Sequence, residues 1–225
     1  MNGKKPTKTK RRVLIVDDHP LLREGIARVI NDQPDLMVCA EAEDRAGALA
    51  GAETTQPDVA VMDISLRDQN GLELIKDFRV RFPHVVILAL SVHDESFYAE
   101  RALRAGARGY VMKREASEKV LEAIRSVLEG KVYTSAKVAA AILDKVTGFT
   151  AGPKRSELGV LSDREMEVFM WIGKGYGSNQ IARQLHMSVK TVETHRANIK
   201  LKLKLSSGNE LLQSAIGWAQ QMGEI

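Results

Sequence analysis

Cysteine and long apolar runs are both scarce in this 225-residue chain. Its one cysteine, Cys39, excludes an intramolecular disulfide framework and a zinc site built on paired cysteines, and it fits a reducing cytosol. The longest apolar stretches, such as Val85–Leu90, fall far short of the ~20 residues that span a bilayer. The basic start followed by VLIV imitates a signal peptide, but Asp17 and Asp18 end its apolar run too early. We therefore expect a soluble cytoplasmic protein with no membrane partner.

Charge is plentiful and unevenly distributed. The formal net charge is +4, from 33 Lys+Arg and 29 Asp+Glu. Residues 1–12 carry six basic and no acidic side chains, residues 13–130 carry 14 basic and 21 acidic, and residues 131–225 carry 13 basic and 8 acidic. An acidic body followed by a basic segment indicates two domains with different partners, the second of which could be nucleic acid. On charge alone, an ordinary solvated surface explains the basic segment equally well.

The first part of the chain alternates short apolar runs with amphipathic segments. Continuous apolar strands are expected in a parallel sheet that is buried on both faces, so the pattern predicts a doubly wound α/β domain with a five-stranded parallel sheet. The predicted strands are Val13–Val16, Leu36–Cys39, Val59–Met62, Val85–Leu90 and Gly109–Met112. The predicted helices are Leu21–Asn31, Arg45–Thr54, Gly71–Phe82, Ser96–Ala105 and Ser117–Glu129.

The last part of the chain shows helices only. A helix is predicted at Lys137–Val146, and the breaker-rich stretch Thr147–Gly159 predicts a linker. Serines that could cap helices mark the starts of the segments that follow. The predicted helices are Met166–Gly173 after Ser162, Asn179–His186 after Ser178, Val189–Leu203 after Ser188 and Leu211–Gln221 after Ser207.

Reactive side chains follow several of the predicted strands. Asp17 and Asp18 follow the first strand, Asp63 the third, Ser91 the fourth and Lys113 the fifth. In a doubly wound sheet the first and third strands are neighbours and ligands bind at the carboxyl ends of the strands, so the three carboxylates should converge. Three hard oxygen ligands suit Mg²⁺. A carboxylate nucleophile, a metal and fixed positive and hydroxyl groups together predict a phosphoryl-transfer site.

Four segments resemble one known family. VLIVDDHPLLREG, VMDISLRDQNGLEL, LALSVHD and ARGYVMK look like the receiver domain of bacterial response regulators, which has a flavodoxin-like fold. The resemblance implies that a sensor histidine kinase phosphorylates Asp63, that Asp17 and Asp18 help to hold Mg²⁺, and that Ser91 and Lys113 contact the phosphoryl group. It also implies that the backbone carbonyl of Ser65 is a metal ligand and that Tyr110 turns inward when Ser91 moves.

Two positions depart from the family pattern. The family usually has proline four residues after the phosphoacceptor, where this chain has Arg67, and after the strand-five lysine, where it has Arg114. The second proline commonly follows a cis bond. Because a non-proline cis bond costs about 3–4 kcal/mol, we expect either a trans bond before Arg114 or a strained loop.

The basic part of the chain contains a candidate DNA-reading helix. Two predicted helices meet at the short turn Met187–Ser188, which fits a helix-turn-helix motif whose second helix enters the major groove. The predicted buried stripe of that helix is Val189, Val192, Ile199 and Leu203. Small or polar side chains lie opposite it, at Lys190, Glu193, Thr194, Ala197 and Lys200, and Lys200, Lys202 and Lys204 form a run suited to phosphates. A solvated helix face is the alternative.

This part resembles a second family. The segment LSDREMEVFMWIGKGYGSNQIARQLHMSVKTVETHRANIKLKL looks like the LuxR-type DNA-binding domain of NarL/FixJ response regulators, and HPLLREG belongs to the same subfamily. The resemblance implies groove-facing roles for Lys190, Glu193, Thr194 and Ala197, and backbone contacts for Asn179, Thr191, Lys200 and Lys202. The final helix, with Leu211, Leu212, Ala215, Ile216 and Trp218, resembles the family's dimerisation helix, although a plain core role is equally compatible.

These observations predict a transcription factor of a two-component system rather than an enzyme. Its predicted partners are double-stranded DNA with two-fold symmetric promoter sites, a sensor histidine kinase and, when phosphorylated, a second copy. The predicted organisation is a basic arm at 1–12, a receiver domain at 13–131, a linker with a helix at 132–159 and a helix-turn-helix domain at 160–225.

Two alternatives remain open. One is an aspartyl-phosphate phosphatase, although haloacid-class enzymes place Asp-x-Asp on the strand of the nucleophile and this chain does not. The other is a phosphorylation-independent DNA binder with a dimerising receiver, which Arg67 and Arg114 favour slightly.

Overall fold

The computed structural model describes residues 10–66, 71–92, 95–147, 158–185 and 187–222. The chain divides into two compact units, residues 1–146 and 147–225. The finer four-part division stays a prediction, although Arg11 and Arg12 of the proposed basic arm begin a strand. Within the described ranges, no helix has both the length and the apolar content that crossing a membrane requires.

The first unit alternates strands and helices as predicted. Its strands are β1 (Arg11–Val16), β2 (Leu36–Ala42), β3 (Val59–Asp63), β4 (Val86–Ser91) and β5 (Gly109–Met112). Its helices are α1 (Pro20–Asn31), α2 (Arg45–Thr55), α3 (Gly71–Arg81), α4 (Glu95–Ala105), α5 (Ala116–Leu128) and α6 (Ala136–Thr147). The predicted ends shift by a few residues at most; the largest shift is in β2, which continues beyond Cys39 to Ala42.

The five strands form one parallel sheet in the order β2-β1-β3-β4-β5. The predicted neighbours, the first and third strands, are paired, with Val16 opposite Met62. Residues 13–16 of β1 and all of β3 are buried, because helices cover both faces of the sheet. The doubly wound fold is therefore confirmed, and it brings the carboxyl ends of β1 and β3 side by side.

Glycine at position 71 lets α3 begin against the backbone that follows β3. A Cβ atom at Gly71 would lie 2.4 Å from Ile64 Cα, which no side chain could accommodate without displacing that backbone. The Gly71 N–H donates to the Ile64 carbonyl at 3.2 Å. This close approach fixes the segment immediately after Asp63.

The chain beyond α5 stays attached to the edge of the sheet. Tyr133 forms an isolated bridge beside Gly109, and its carbonyl accepts from Tyr110 N at 2.9 Å. The Ser135 hydroxyl donates to Glu95 Oε1 at 2.7 Å, which joins the start of α6 to α4. The helix predicted at Lys137–Val146 is confirmed, and it belongs to the first compact unit.

The second unit is helical. Its helices are α7 (Asp163–Gly173), α8 (Ser178–Gln184), α9 (Val189–Lys202) and α10 (Gly208–Met222), preceded by a short 3-10 turn at Leu158–Val160. Phe169 and Trp218 pack edge to face at 5.9 Å between ring centroids in its core. Gly173 lets α7 and α10 approach closely, because a Cβ there would meet the Ala215 carbonyl at 2.6 Å.

Three of the four predicted serine caps are confirmed. Ser162 forms a full capping box with Glu165, Ser188 accepts from Thr191 N at 3.0 Å, and Ser207 accepts from Glu210 N at 3.1 Å. The prediction for Ser178 is wrong, because Ser178 is the first residue of α8 and Gly177 precedes the helix as its cap. The predicted helix end at His186 lies outside the described residues.

The predicted buried stripe of α9 needs one correction. Val192 and Ile199 are fully buried, and Leu203 is partly buried. Val189 is 43% exposed, because it is the first residue of the helix and precedes the turn that packs against the core.

Candidate functional site

The carboxyl ends of β1 and β3 meet the lysine that follows β5. Lys113 Nζ lies 2.7 Å from Asp63 Oδ2 and 2.7 Å from Asp17 Oδ2. The side chains of Asp17 and Asp63 are fully buried, and that of Lys113 is 7% exposed. Asp17 and Asp63, two of the three carboxylates predicted to converge, therefore meet, and the Lys113 ammonium faces both.

Both oxygens of Asp63 are held. Oδ2 accepts from Lys113, and Oδ1 accepts from the backbone N–H of Ser65 at 2.7 Å. Burial raises the pKa of the Asp63 carboxyl to about 6, against the lowering effect of the Lys113 ammonium. The negative charge of Asp17 also raises that pKa. Lys113 and the Ser65 N–H thus fix the orientation of the Asp63 carboxylate from both sides.

Asp18 completes the acidic group, and His19 joins it. His19 Nδ1 lies 2.8 Å from Asp18 Oδ1 and 3.1 Å from Asp17 Oδ1, and the His19 backbone N–H donates to Asp17 Oδ1 at 2.8 Å. His19 was not among the residues predicted from the sequence. Its position directly after two strand-end aspartates was the signal that could have found it.

The acidic group fits a hard divalent cation. Donor atoms of Asp17, Asp18, His19 and Asp63 all lie within 4.8 Å of one another. Asp17 Oδ2 is buried and accepts no well-directed hydrogen bond, although it faces the charge of Lys113. Carboxylate oxygens in this arrangement suit Mg²⁺. The backbone carbonyl of Ser65 stays a predicted ligand.

The two predicted switch residues lie on the neighbouring strands. Ser91 is the buried last residue of β4 and stands opposite Met112 of β5. Tyr110 is 3% exposed, so its ring already lies inside the protein in this structure. Their part in a switch stays a prediction.

One of the two departures from the family pattern falls in the described part of the chain. No peptide bond in the described ranges is cis, so the bond before Arg114 is trans. Lys113 nevertheless reaches Asp63, so the absence of proline does not displace it. Arg67 lies outside the described residues.

In the second unit, α9 presents the predicted groove-facing side chains to solvent. Lys190, Glu193, Thr194 and Ala197 are all exposed. The helix is fixed from behind by Val192 and Ile199, and at its start by the Ser188 cap. The structure thus leaves one polar face of α9 open for a ligand.

The four residues predicted to contact the DNA backbone differ in exposure and in their hydrogen bonds. Asn179 is exposed and Lys200 is partly exposed, so neither side chain is buried. The Thr191 hydroxyl shares a 2.8 Å hydrogen bond with Ser188 in the helix cap. Lys202 Nζ donates to Glu165 Oε2 at 2.6 Å, so its charge already has an internal partner.

The Lys202–Glu165 contact joins the end of α9 to the first turn of α7. Burial pushes the pKa of Glu165 up, but hydrogen bonds from Lys202 and Ser162 outweigh it and hold that pKa below its ordinary value. The contact spans 37 positions, so no local pattern could have revealed it.

Comparison with known proteins covers both units. Residues 13–125 match the response regulator receiver domain, and residues 159–215 match the luxR family of bacterial regulatory proteins. The oxygen regulatory protein NreC of Staphylococcus carnosus is 35% identical over an alignment of 209 positions, which covers 91% of this chain and 96% of that protein. The transcriptional regulatory protein DegU of Brevibacillus brevis is 32% identical over an alignment of 226 positions, which covers 94% of this chain and 96% of that protein.

The chain belongs to the response regulators of the NarL/FixJ type.

Solved structures of response regulators agree with this assignment. RcsB of Salmonella typhimurium, in a structure described as showing conformational dynamism for DNA interaction, aligns with a TM-score of 0.56 and 25% identity. The alignment covers 91% of this chain and 97% of RcsB. This response regulator thus carries a receiver domain and a LuxR-type DNA-binding domain in one chain, and its family consists of transcription regulators rather than enzymes.

Proposed function

We propose that phosphorylation of Asp63 switches the affinity of this response regulator for promoter DNA. The observation that carries the proposal is the buried contact of Asp63 with Lys113 and with the Ser65 N–H, which orients a carboxylate that a cation can balance. Predicted partners are a sensor histidine kinase, DNA with two-fold symmetric sites and, after phosphorylation, a second copy. A cytoplasmic location stays part of the proposal.

The proposed reaction is a phosphoryl transfer to Asp63. A carboxylate oxygen attacks the phosphorus of a phosphohistidine, the P–O bond forms, and the P–N bond breaks with its electron pair going to the imidazole. Lys113 balances charge on the carboxylate and on the phosphoryl oxygens. Asp17, Asp18 and the Ser65 carbonyl would hold Mg²⁺, which supplies further charge compensation when bound.

Phosphorylation of Asp63 would change the charge inside the first unit. The phosphoryl group adds about −1.5 to −2 charge, which Lys113 and a hydrogen bond from Ser91 compensate. That hydrogen bond would draw the end of β4 inward, beside Tyr110 of β5. In our proposal this alters the surface of α4 and β5 and favours DNA binding as a dimer.

DNA binding is proposed to use the exposed face of α9. Lys190, Glu193, Thr194 and Ala197 would face base edges, and Asn179, Thr191 and Lys200 would contact phosphates. We rank Lys202 below them, because its ammonium is already paired with Glu165.

The test measures DNA affinity with and without Mg²⁺ and beryllofluoride. A duplex is first selected from a randomised pool with the activated wild type and is then used for the wild type, Asp63→Asn and Asp77→Asn. Asp77 is a matched control, since it pairs with Arg45 on the surface. We expect the wild type and Asp77→Asn to bind more tightly on activation and Asp63→Asn not to respond. Equal affinity in all conditions would leave a DNA binder that phosphorylation does not switch.

A further inference from the structure

A side-chain contact joins the first residue of α8 to the exposed face of α9. The Ser178 hydroxyl donates to Glu193 Oε1 across 15 positions of the chain. Ser178 does not cap its own helix; Gly177 precedes α8, and its N–H donates to Gln180 Oε1 at 2.9 Å. The hydroxyl is therefore directed at the neighbouring helix instead of at local backbone.

The contact fixes one oxygen of a carboxylate that is open to solvent. The Glu193 side chain is 57% exposed, and Arg196 Nε lies 3.8 Å from the same Oε1. Ser178 and Arg196 both lie near Oε1 of Glu193, so Oε2 can accept a hydrogen bond from a ligand. Glu193 is thus oriented before any ligand arrives.

A carboxylate on this face is unfavourable beside phosphates and useful beside a hydrogen-bond donor. In the major groove, the donors on base edges are the exocyclic amino groups of cytosine and adenine, and Glu accepts from cytosine N4. Fixing the side chain in advance also removes part of the rotamer entropy that binding would otherwise cost.

We propose that Ser178 is a positioning residue that holds Glu193 to read a cytosine amino group, so that the pair sets base preference at one position of each half-site. This rests on the DNA-binding role proposed above. A purely structural contact between α8 and α9 would instead change stability and leave base preference unchanged.

The test is sequence selection from a randomised duplex pool with the full chain, Mg²⁺ and beryllofluoride. The variants are Ser178→Ala, Ser178→Thr and Glu193→Gln. Ser207→Ala is the control, because the Ser207 hydroxyl caps α10 at a distance from this contact in the sequence. Thermal unfolding of each variant separates folding defects from altered preference.

We expect the wild type, Ser178→Thr and Ser207→Ala to prefer cytosine at the same position. Ser178→Ala should weaken that preference by about fivefold or more, and Glu193→Gln should shift it towards adenine, since Gln pairs with adenine N6 and N7. If Ser178→Ala fails to fold, Ser178→Cys takes its place, because it keeps the size of the side chain and is only a weak hydrogen-bond donor.

Two negative outcomes are distinguishable. If a folded Ser178→Ala enriches the wild-type sequence as strongly as the wild type does, the positioning role is overturned and the DNA-binding role stands. If the wild type itself enriches no sequence, the proposed function fails, and this inference fails with it.

Discussion

The polar side chains of Asp17, Asp63 and Lys113 at the strand ends lie inside the protein, whereas those on the exposed face of α9 lie at its surface. Asp17 and Asp63 are fully buried and depend on Lys113 for compensation of their charge. Lys190 and Glu193 project into solvent, where no compensation is needed for folding. The difference predicts that substitutions among Asp17, Asp63 and Lys113 cost more stability than substitutions on the exposed face of α9.

Lys113→Met should produce the largest loss of stability, since it leaves two buried carboxylates without their cation. We expect the free energy of unfolding of the first unit to fall by about 3–5 kcal/mol, measured in urea without divalent cations. Adding Mg²⁺ should narrow the difference from the wild type. Lys119→Met, which removes an exposed partner of Glu115, is the control. A loss as small as the control's would mean that the cluster is not charge-coupled.

Ile199→Ala tests the buried side of α9. Ile199 is fully buried, so the substitution should cost about 3 kcal/mol in the unfolding of the second unit. Lys190→Ala on the exposed face should cost little stability and lower DNA affinity. Equal destabilisation by both changes would contradict the division of α9 into a buried and an open face.

Glu167→Gln tests a buried carboxyl outside both sites. Burial raises the pKa of Glu167, despite the opposing effect of Arg164 at 2.8 Å. A raised pKa in the folded state gives stability that is present below the unfolded pKa and is lost as pH rises through the folded value. The variant should therefore gain stability relative to the wild type as the pH rises above the ordinary Glu value of about 4.5. If the stability difference between Glu167→Gln and the wild type does not change with pH, the raised pKa of Glu167 is not its cause.

Lys200→Ala and Lys202→Ala should separate two lysines that look equivalent in the sequence. Lys200→Ala should reduce the salt dependence of DNA binding by about one unit of slope. Lys202→Ala should leave the slope unchanged and reduce stability by about 1 kcal/mol or less, because Lys202 is partly exposed and bonds Glu165. The reverse result would restore Lys202 as a phosphate contact.

Most of the fold and the receiver cluster were predictable from the sequence. Continuous apolar runs such as β3 identify buried parallel strands, and strand-end residues meet wherever the strands are neighbours. The helix cap at Ser188 was equally predictable, because its partner, the N–H of Thr191, is only three residues away in the chain. Ser178 was misassigned, because a hydroxyl beside a helix start can also bond a distant helix, as Ser178 does with Glu193.

The sequence by itself determined the element order, the strand-end carboxylates and the polar face of α9, because these follow from local periodicity and from one rule of sheet topology. Tertiary structure alone decided that Lys113 compensates both Asp17 and Asp63, and that His19 joins them. It also decided that the Lys202 ammonium bonds Glu165, 37 positions away in the chain. Such pairings depend on the distance between side chains that are far apart in the chain and on how deeply those side chains are buried. The spacing of residues in the sequence predicts neither quantity.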